Sequence, residues 1–368
     1  MDVVPVVDSK DLARFIQLPH TIYGKDSRWV APLTMDERTR LNPKKNPFFE
    51  HAEAAYFIAR ENGRDVGRIA ASVDRSYDAL HAERQAGFGF FEARSPAAAA
   101  ALLQSAVRWG AERNAEVLRG PMSFTTNDDC GLLVRGFEYS PTIMMPYNPP
   151  EYAEWIEAAG FSKAKDLYGF RIRIPDHAPD QIERISNKVR DRFRVRVRTI
   201  DMKRFKEELG RVKDIYNSAW EKNWGFVPMT DHEIDHMAAQ LKPAVVPSFT
   251  LFAEIDGETV GFLLLIPDVN IAMKPLRGRL FPFGIVRLLW GLPRIKEVRL
   301  MALGVKAGFR RRGIDAALIH EITKNTYAAH CTFCEVSWTL EDNDFVNSLV
   351  EVMGGERYKT YWIYERRL

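Results

Sequence analysis

Two spacings of hydrophobic residues alternate along the chain, and they occur twice in the same order. A short apolar run at 3–7 predicts a strand, and a helix follows from about Ser9. A polar, proline-bearing stretch then runs to Phe49. Over 54–73 the pattern is strand, turn, strand about Asn62-Gly63, the strongest short hairpin signal. Residues 87–92 predict a further strand, and Ser95-Pro96 supplies an N-cap and a first-turn proline for an alanine-rich helix to about Glu112. The second copy opens with an apolar run at 251–255, turns at Asp256-Gly257 and returns over 260–265. Gly63 and Gly257 stand 194 positions apart, and so do Gly160 and Gly354, each closing a predicted helix. This pattern predicts two tandem units, 1–178 and 179–368, joined at the turn-rich Pro175-Asp-His-Ala-Pro179, with Asp180 and Glu183 as a capping box opening the second.

The most distinctive stretch lies in the second unit. An apolar run at 298–305 ends in Gly304-Val305, a basic turn follows at 306–313, and Ile314, Leu318 and Ile322 then fall on one face of a helix. A strand leading through glycines and arginines into a helix N-terminus offers backbone N–H groups, a positive dipole end and guanidinium donors to an anion. Gly308 and Gly313 have P-loop spacing, but Ile314-Asp315 stand where Lys and Ser or Thr are needed, and no Gly-x-Gly-x-x-Gly is present. Arg310-Arg311-Arg312-Gly313-Ile314-Asp315 resembles instead the coenzyme A diphosphate loop, Gln/Arg-x-x-Gly-x-Gly/Ala, of the GNAT superfamily of acyl-CoA-dependent N-acyltransferases. Asp315 departs from that pattern, where Gly or Ala belongs.

The resemblance implies an α+β (α/β) fold of two GNAT-like units, each a mixed, mostly antiparallel twisted sheet flanked by helices. Only the second has the cradle; the first has Ala93-Arg94-Ser95-Pro96 in its place. The implied donor is acetyl-CoA or a longer acyl-CoA, held by Leu303, Gly304 and Val305 along the pantetheine arm, with Gly304 allowing a local bulge. Arg310, Arg311, Arg312, Gly313, Ile314, Asp315 and Ala316 would hold the diphosphate, and Asn343 stands at the family's asparagine. The implied acceptor is a small-molecule amine. Trp220, Glu221, Trp224 and Phe226 would line its site, where a hydrophobic cluster under a loop is the plainer account. Glu297 is the candidate base, two residues before Arg299 on the same strand face. The usual tyrosine acid is replaced by Val350, leaving Tyr358, Tyr361, Tyr364 or water. A non-catalytic acyl-CoA-binding regulator is the alternative that keeps the cradle and dispenses with the acid.

Composition narrows the remaining readings. A length of 368 residues fits two domains, and a net charge of +3 does not argue for nucleic acid. Three cysteines, no signal-peptide pattern at the N-terminus and no long apolar segment predict a cytoplasmic protein without a transmembrane segment. Cys331 and Cys334 fall in a predicted strand as structural thiols. His232-Glu233-Ile-Asp-His236 matches the zinc-hydrolase pattern H-E-x-x-H, which makes a zinc hydrolase the third functional reading, but Thr230 and Glu233 also form a capping box and no third ligand stands out, so no metal is assigned. Arg190, Arg192, Arg194, Arg196 and Arg198 alternate with other residues, which predicts one arginine face of a strand. The segment 271–296 mixes large apolar residues with arginines. It would pack on its own domain, wall an acyl-chain site, or make peripheral contact with a membrane.

Overall fold

Asn62 and Gly63, and again Asp256 and Gly257, take positive φ (50° and 74°, 49° and 87°), the conformation two-residue hairpin turns require. The computed structural model describes residues 1–24, 27–220 and 223–368. They form two units: Met1–Tyr168 with Met273–Ile285 and Lys359–Leu368, and Gly169–Ala272 with Val286–Tyr358.

In unit 1, strand β1 (Asp2–Pro5) precedes helices α1 (Ser9–Gln17), α2 (Pro19–Ile22) and α3 (Thr34–Arg40). The hairpin β2 (Ala52–Glu61) and β3 (Arg64–Asp74) leads through α4 (Arg75–His81) to β4 (Gln85–Ala93). Helix α5 (Pro96–Ala111) then crosses to β5 (Val117–Gly120), which lies parallel to β4, and β6 (Leu132–Arg135) and α6 (Tyr152–Ala158) follow. Ser95 caps α5 through Ala98 N–H, and its alanine-rich face buries Leu102, Leu103 and Ala106 on the sheet. The sheet is completed from the far end of the chain. In β13 (Glu356–Arg367), Tyr364–Arg367 pair antiparallel with β5, and Thr360–Trp362 pair with β6. Arg119 of β5 fixes this closure with ion pairs to Glu365 at 2.7 Å and Glu83 at 2.5 Å.

Unit 2 repeats the plan. After β7 (Ser162–Arg173), which the two units share, come α7 (Asp180–Phe193), β8 (Arg196–Thr199), α8 (Phe205–Trp220) and α9 (Asp231–Leu241). The hairpin β9 (Thr250–Ile255) and β10 (Glu258–Pro267) follows, then α10 (Asn270–Met273) and α11 (Gly284–Gly291). Strand β11 (Glu297–Val305), helix α12 (Ile314–Ala328), the parallel strand β12 (Phe333–Leu340) and α13 (Asp344–Val352) complete it. The sheet order is β8-β9-β10-β11-β12. The duplication extends to the helix closures: Gly160 N–H donates to Glu157 O and Phe161 N–H to Ile156 O, as Gly354 does to Glu351 O and Gly355 to Val350 O.

Several expectations are corrected. The alternating arginines are not one strand: Arg190 and Arg192 lie on α7, whose buried residues Ile182, Ser186 and Val189 follow helical spacing. Arg194 ends that helix in the left-handed region, and only Arg196 and Arg198 belong to β8. Pro179, without a side-chain cap, precedes α7, so Asp180 and Glu183 make no capping box. Cys331 lies before β12 rather than in it, although both it and Cys334 are buried and unpaired thiols. Within 271–296, Ala272 and Leu276 are buried, but no residue of α11 is.

Unit 1 also buries an acid. Glu92 on β4 is enclosed, accepts a hydrogen bond from the Tyr152 hydroxyl at 3.0 Å and faces Arg68 of β3. Burial pushes its carboxyl up to about 7, against the pull of Arg68. A raised folded-state value makes its contribution complete below the ordinary carboxylate range and progressively lost as pH rises to about 7. Glu92→Gln is therefore expected to remove a loss of unfolding free energy, up to about 3 kcal/mol and read as a falling melting temperature, between about pH 5 and pH 7. Parallel pH profiles of the two proteins in thermal denaturation would contradict this.

Candidate functional site: an open strand edge at the head of a helix

Strand β11 has a partner on one side throughout and on the other only in part. Against β10 its register runs from Val298↔Pro267 to Val305↔Gly261, with a bulge that leaves Met301 unopposed between Leu300↔Leu265 and Ala302↔Leu264. Against β12 the pairing stops at Leu300↔Val336. From Met301 onward the two parallel strands diverge, and residues 300–303 are half-buried. The expected bulge at Gly304 lies instead at Met301. Gly304 serves a close approach, because a Cβ there would sit 2.8 Å from the Trp220 ring.

The equivalent edge in unit 1 is sealed. Strand β4 pairs with β5 only over Gln85–Gly87, but β4 is buried beyond that point. Met122 N–H donates to Phe88 O at 2.7 Å, and a Cβ on Gly89 would lie 1.9 Å from Met122 O. Ala93 N–H donates to the Tyr152 hydroxyl at 2.8 Å. The chain itself takes up backbone groups whose counterparts on β11, after Leu300, have no strand partner on that side among the described residues.

At the end of β11 the basic turn spends most of its charge on its own fold. Arg310 donates to Ser218 O at 2.9 Å and Ala219 O at 2.8 Å, capping the last carbonyls of α8. Arg312 donates to Gly308 O at 3.0 Å and lies over the Phe309 and Phe193 rings. Among the described residues, Arg311 alone of the three has no hydrogen bond or ion pair. It is exposed, with φ +60°. Gly313 precedes α12 with φ +81° and offers no side-chain cap, while Ile314 and Ala316 are buried. The N–H groups of Asp315 and Ala316 favour the charged form of the Asp315 carboxylate, while burial, the larger effect, raises its proton affinity. Helix dipole, free N–H groups and Arg311 suit an anion here.

Beside the divergence sits a polar group that the sequence reading missed. Glu335 pairs in register with Arg299 and is buried. One of its oxygens accepts from Ser337 Oγ at 2.6 Å and the other from the Tyr358 hydroxyl. Arg299 donates to Ser337 O at 2.9 Å. The available signal was a lone carboxylate inside an apolar strand, which requires partners if it is buried. Glu297 stands at the other end of the paired stretch, part-exposed and ion-paired with Arg171 at 3.4 Å.

The remaining expected residues are dispersed. Tyr361 and Tyr364 belong to unit 1, both fully buried, with Tyr364 donating to Glu157; only Tyr358 stays in unit 2. Asn343 caps α13 through Val346 N–H. Trp220, partly buried, packs against the core of unit 2 and stacks on Tyr216 at 4.6 Å, and Phe226 is buried. Trp224 is half-buried, and Glu221 lies outside the described residues. The Glu233 carboxylate accepts from Thr230 N–H in a complete capping box, and His236 meets Gln240. Among the described residues, no group of three or more His, Cys, Asp or Glu is placed to hold a metal ion.

No family model matches the chain. It is 35% identical to a protein of Caulobacter vibrioides named bacterial ceramide synthase, covering 100% of this chain and 98% of that one. It is also 35% identical to Protein YghO of Escherichia coli, covering 98% and 94% respectively. Among solved structures, a tandem GNAT protein from the clavulanic acid biosynthesis pathway superposes with a TM-score of 0.58 at 13% identity, covering 100% of this chain and 98% of that one. The fold is thus a tandem GNAT fold.

The arginines of the turn separate by stability. Arg310→Ala is expected to lower unfolding free energy by about 1–2 kcal/mol, through the loss of two charge-assisted bonds to α8. Arg311→Ala should change it by less than about 0.5 kcal/mol. Urea unfolding midpoints of the two variants check this, and equal midpoints would refute the division of labour.

Proposed function

We propose that this chain, which belongs to the family of the bacterial ceramide synthase and Protein YghO, is an acyl-CoA-dependent N-acyltransferase acting on a long-chain amine. GNAT-fold proteins use acyl-CoA as donor. A ceramide is a long-chain amino alcohol bearing a fatty acyl group on nitrogen, so the relative's name directs the reading to a fatty acyl donor and an amino-alcohol acceptor. The observation that carries the proposal is the divergence of β11 from β12 after Leu300, ending at the N-terminus of α12. That edge suits the amide-bearing pantetheine arm as an added strand along Leu303, Gly304 and Val305. The diphosphate then meets Arg311 and the N–H groups of residues 312–314. Arg310, Arg312 and Asp315 hold the turn in shape, and Asn343 has its work at α13.

In the reaction the neutral amine attacks the thioester carbonyl; a C–N bond forms and the C–S bond breaks. We assign Glu335 to accept the proton from nitrogen and Tyr358 to supply one to the departing sulfur. Their hydrogen bond lets the proton pass from Glu335 back to Tyr358, which restores both groups. Glu297, ion-paired at the far end of the paired stretch, takes no part in this scheme. Tyr361 and Tyr364, in the other unit, take none either.

A thermal-shift series over acyl-CoA chain length tests donor binding. Stabilisation should grow with chain length, and Arg311→Glu should abolish it while leaving the unliganded melting temperature unchanged. Glu335→Gln should retain the shift and lower turnover of a long-chain amino alcohol by about 10²- to 10⁴-fold, read as free thiol release. Undiminished turnover in Glu335→Gln would remove it as the base, and absence of any acyl-CoA shift would remove the transferase.

A further inference from the structure

Burial of hydrophobic residues fails conspicuously in one continuous run of chain. Phe281, Phe283, Val286, Leu289 and Trp290 are all strongly exposed, Phe283 at 81% and Trp290 at 66%. Val286, Leu289 and Trp290 recur at helical spacing on α11, which has no buried residue to pair with a solvated face. Single exposed apolar side chains are ordinary; five within ten positions form a patch that needs an occupant.

The charge around the patch selects that occupant. Between Asp268 and Glu297 the sequence has no acidic residue and six cationic ones. Arg277, Arg279, Arg287 and Arg294 are exposed. The Arg294 guanidinium lies 3.8 Å from the Trp290 ring centroid and also donates to Trp290 O, holding the indole beside a cation. Aromatic rings flanked by arginines suit the level of lipid headgroups, where an amphipathic segment lies in the plane with its apolar side chains reaching the acyl boundary. No described helix is long and apolar enough to cross a membrane, so the contact is peripheral. A second copy is a poor occupant, because a twofold contact through this patch brings two surfaces of the same positive sign together. An acidic headgroup layer neutralises them instead.

We propose that α11 and its flanks, residues 277–296, dock on the surface of an anionic lipid bilayer. This does not rest on the acyl-transfer reading, since patch and charge stand without it. Each cation brought near an anionic surface strengthens partitioning by roughly fivefold, and the apolar side chains add to that independently of charge.

The test is co-sedimentation of the full chain with phosphatidylcholine vesicles, with and without phosphatidylglycerol, over a salt series. The protein should sediment with the anionic vesicles, far less with the neutral ones, and progressively less as salt rises. The triple variant Phe283→Ser, Leu289→Ser, Trp290→Ser should bind at least about tenfold more weakly. Arg287→Glu with Arg294→Glu should lose the preference for anionic lipid. All these side chains are exposed, so melting temperatures should match the parent. Wild-type protein that stays in the supernatant with anionic vesicles overturns the proposal, as does a triple variant that binds like wild type. A lipid-free dimer that the triple variant dissociates, without vesicle binding, also overturns it and gives the patch to a second copy.

Discussion

A strand that parts from its neighbour leaves amide N–H and carbonyl groups without partners, and something must satisfy them. Both units face this constraint at the same place, where the strand before the crossover helix outruns its parallel neighbour. Unit 1 meets it with its own chain, through Met122 against Phe88 and the Tyr152 hydroxyl against Ala93. Unit 2 leaves residues 300–303 of β11 half-buried. One duplicated plan has thus become a closed sheet in one copy and an edge suited to an extended ligand in the other.

The electrostatics of unit 2 follow from the same economy. A turn with three arginines would be expected to present three charges to an anion, but two are committed to carbonyls of the surrounding fold. Asp315, which looks hostile to a diphosphate in the linear motif, is directed at the first amides of its own helix. The buried carboxylate beside the opening is held the same way: Ser337 and Tyr358 solvate Glu335 in place of water. Arg310, Arg312 and Glu335 thus have directions fixed by the surrounding fold, and Arg311 alone of the turn's arginines is left exposed without a bonded partner among the described residues.

Legibility from sequence followed the range of the signal. Asn62-Gly63, Asp256-Gly257, Ser95-Pro96 and the Thr230–Glu233 box each act within a few residues, and each has its expected geometry. The resemblance points to a bulge at Gly304, yet the bulge sits at Met301, where no glycine marks it. The arginines of 190–198 misled because alternation by two is also compatible with a helix that ends midway, and Ile182, Ser186 and Val189 decide the matter. Glu335 was hidden because its partners, Ser337 and Tyr358, come together only through β12 and β13. Hydropathy marked α11 as apolar but carried no information about which way that face would turn.

The last strand sets an order on biosynthesis. Arg119 meets Glu365 across 246 positions of sequence, and residues 359–368 supply the strand that β5 and β6 pair with. A ribosome delivers the N-terminal half first, but that half cannot finish its sheet until those ten residues have cleared the exit tunnel. The edge of β5 opposite β4 therefore has no strand to pair with throughout translation of everything between, which leaves a bare strand edge open to a wrong neighbour for that whole interval.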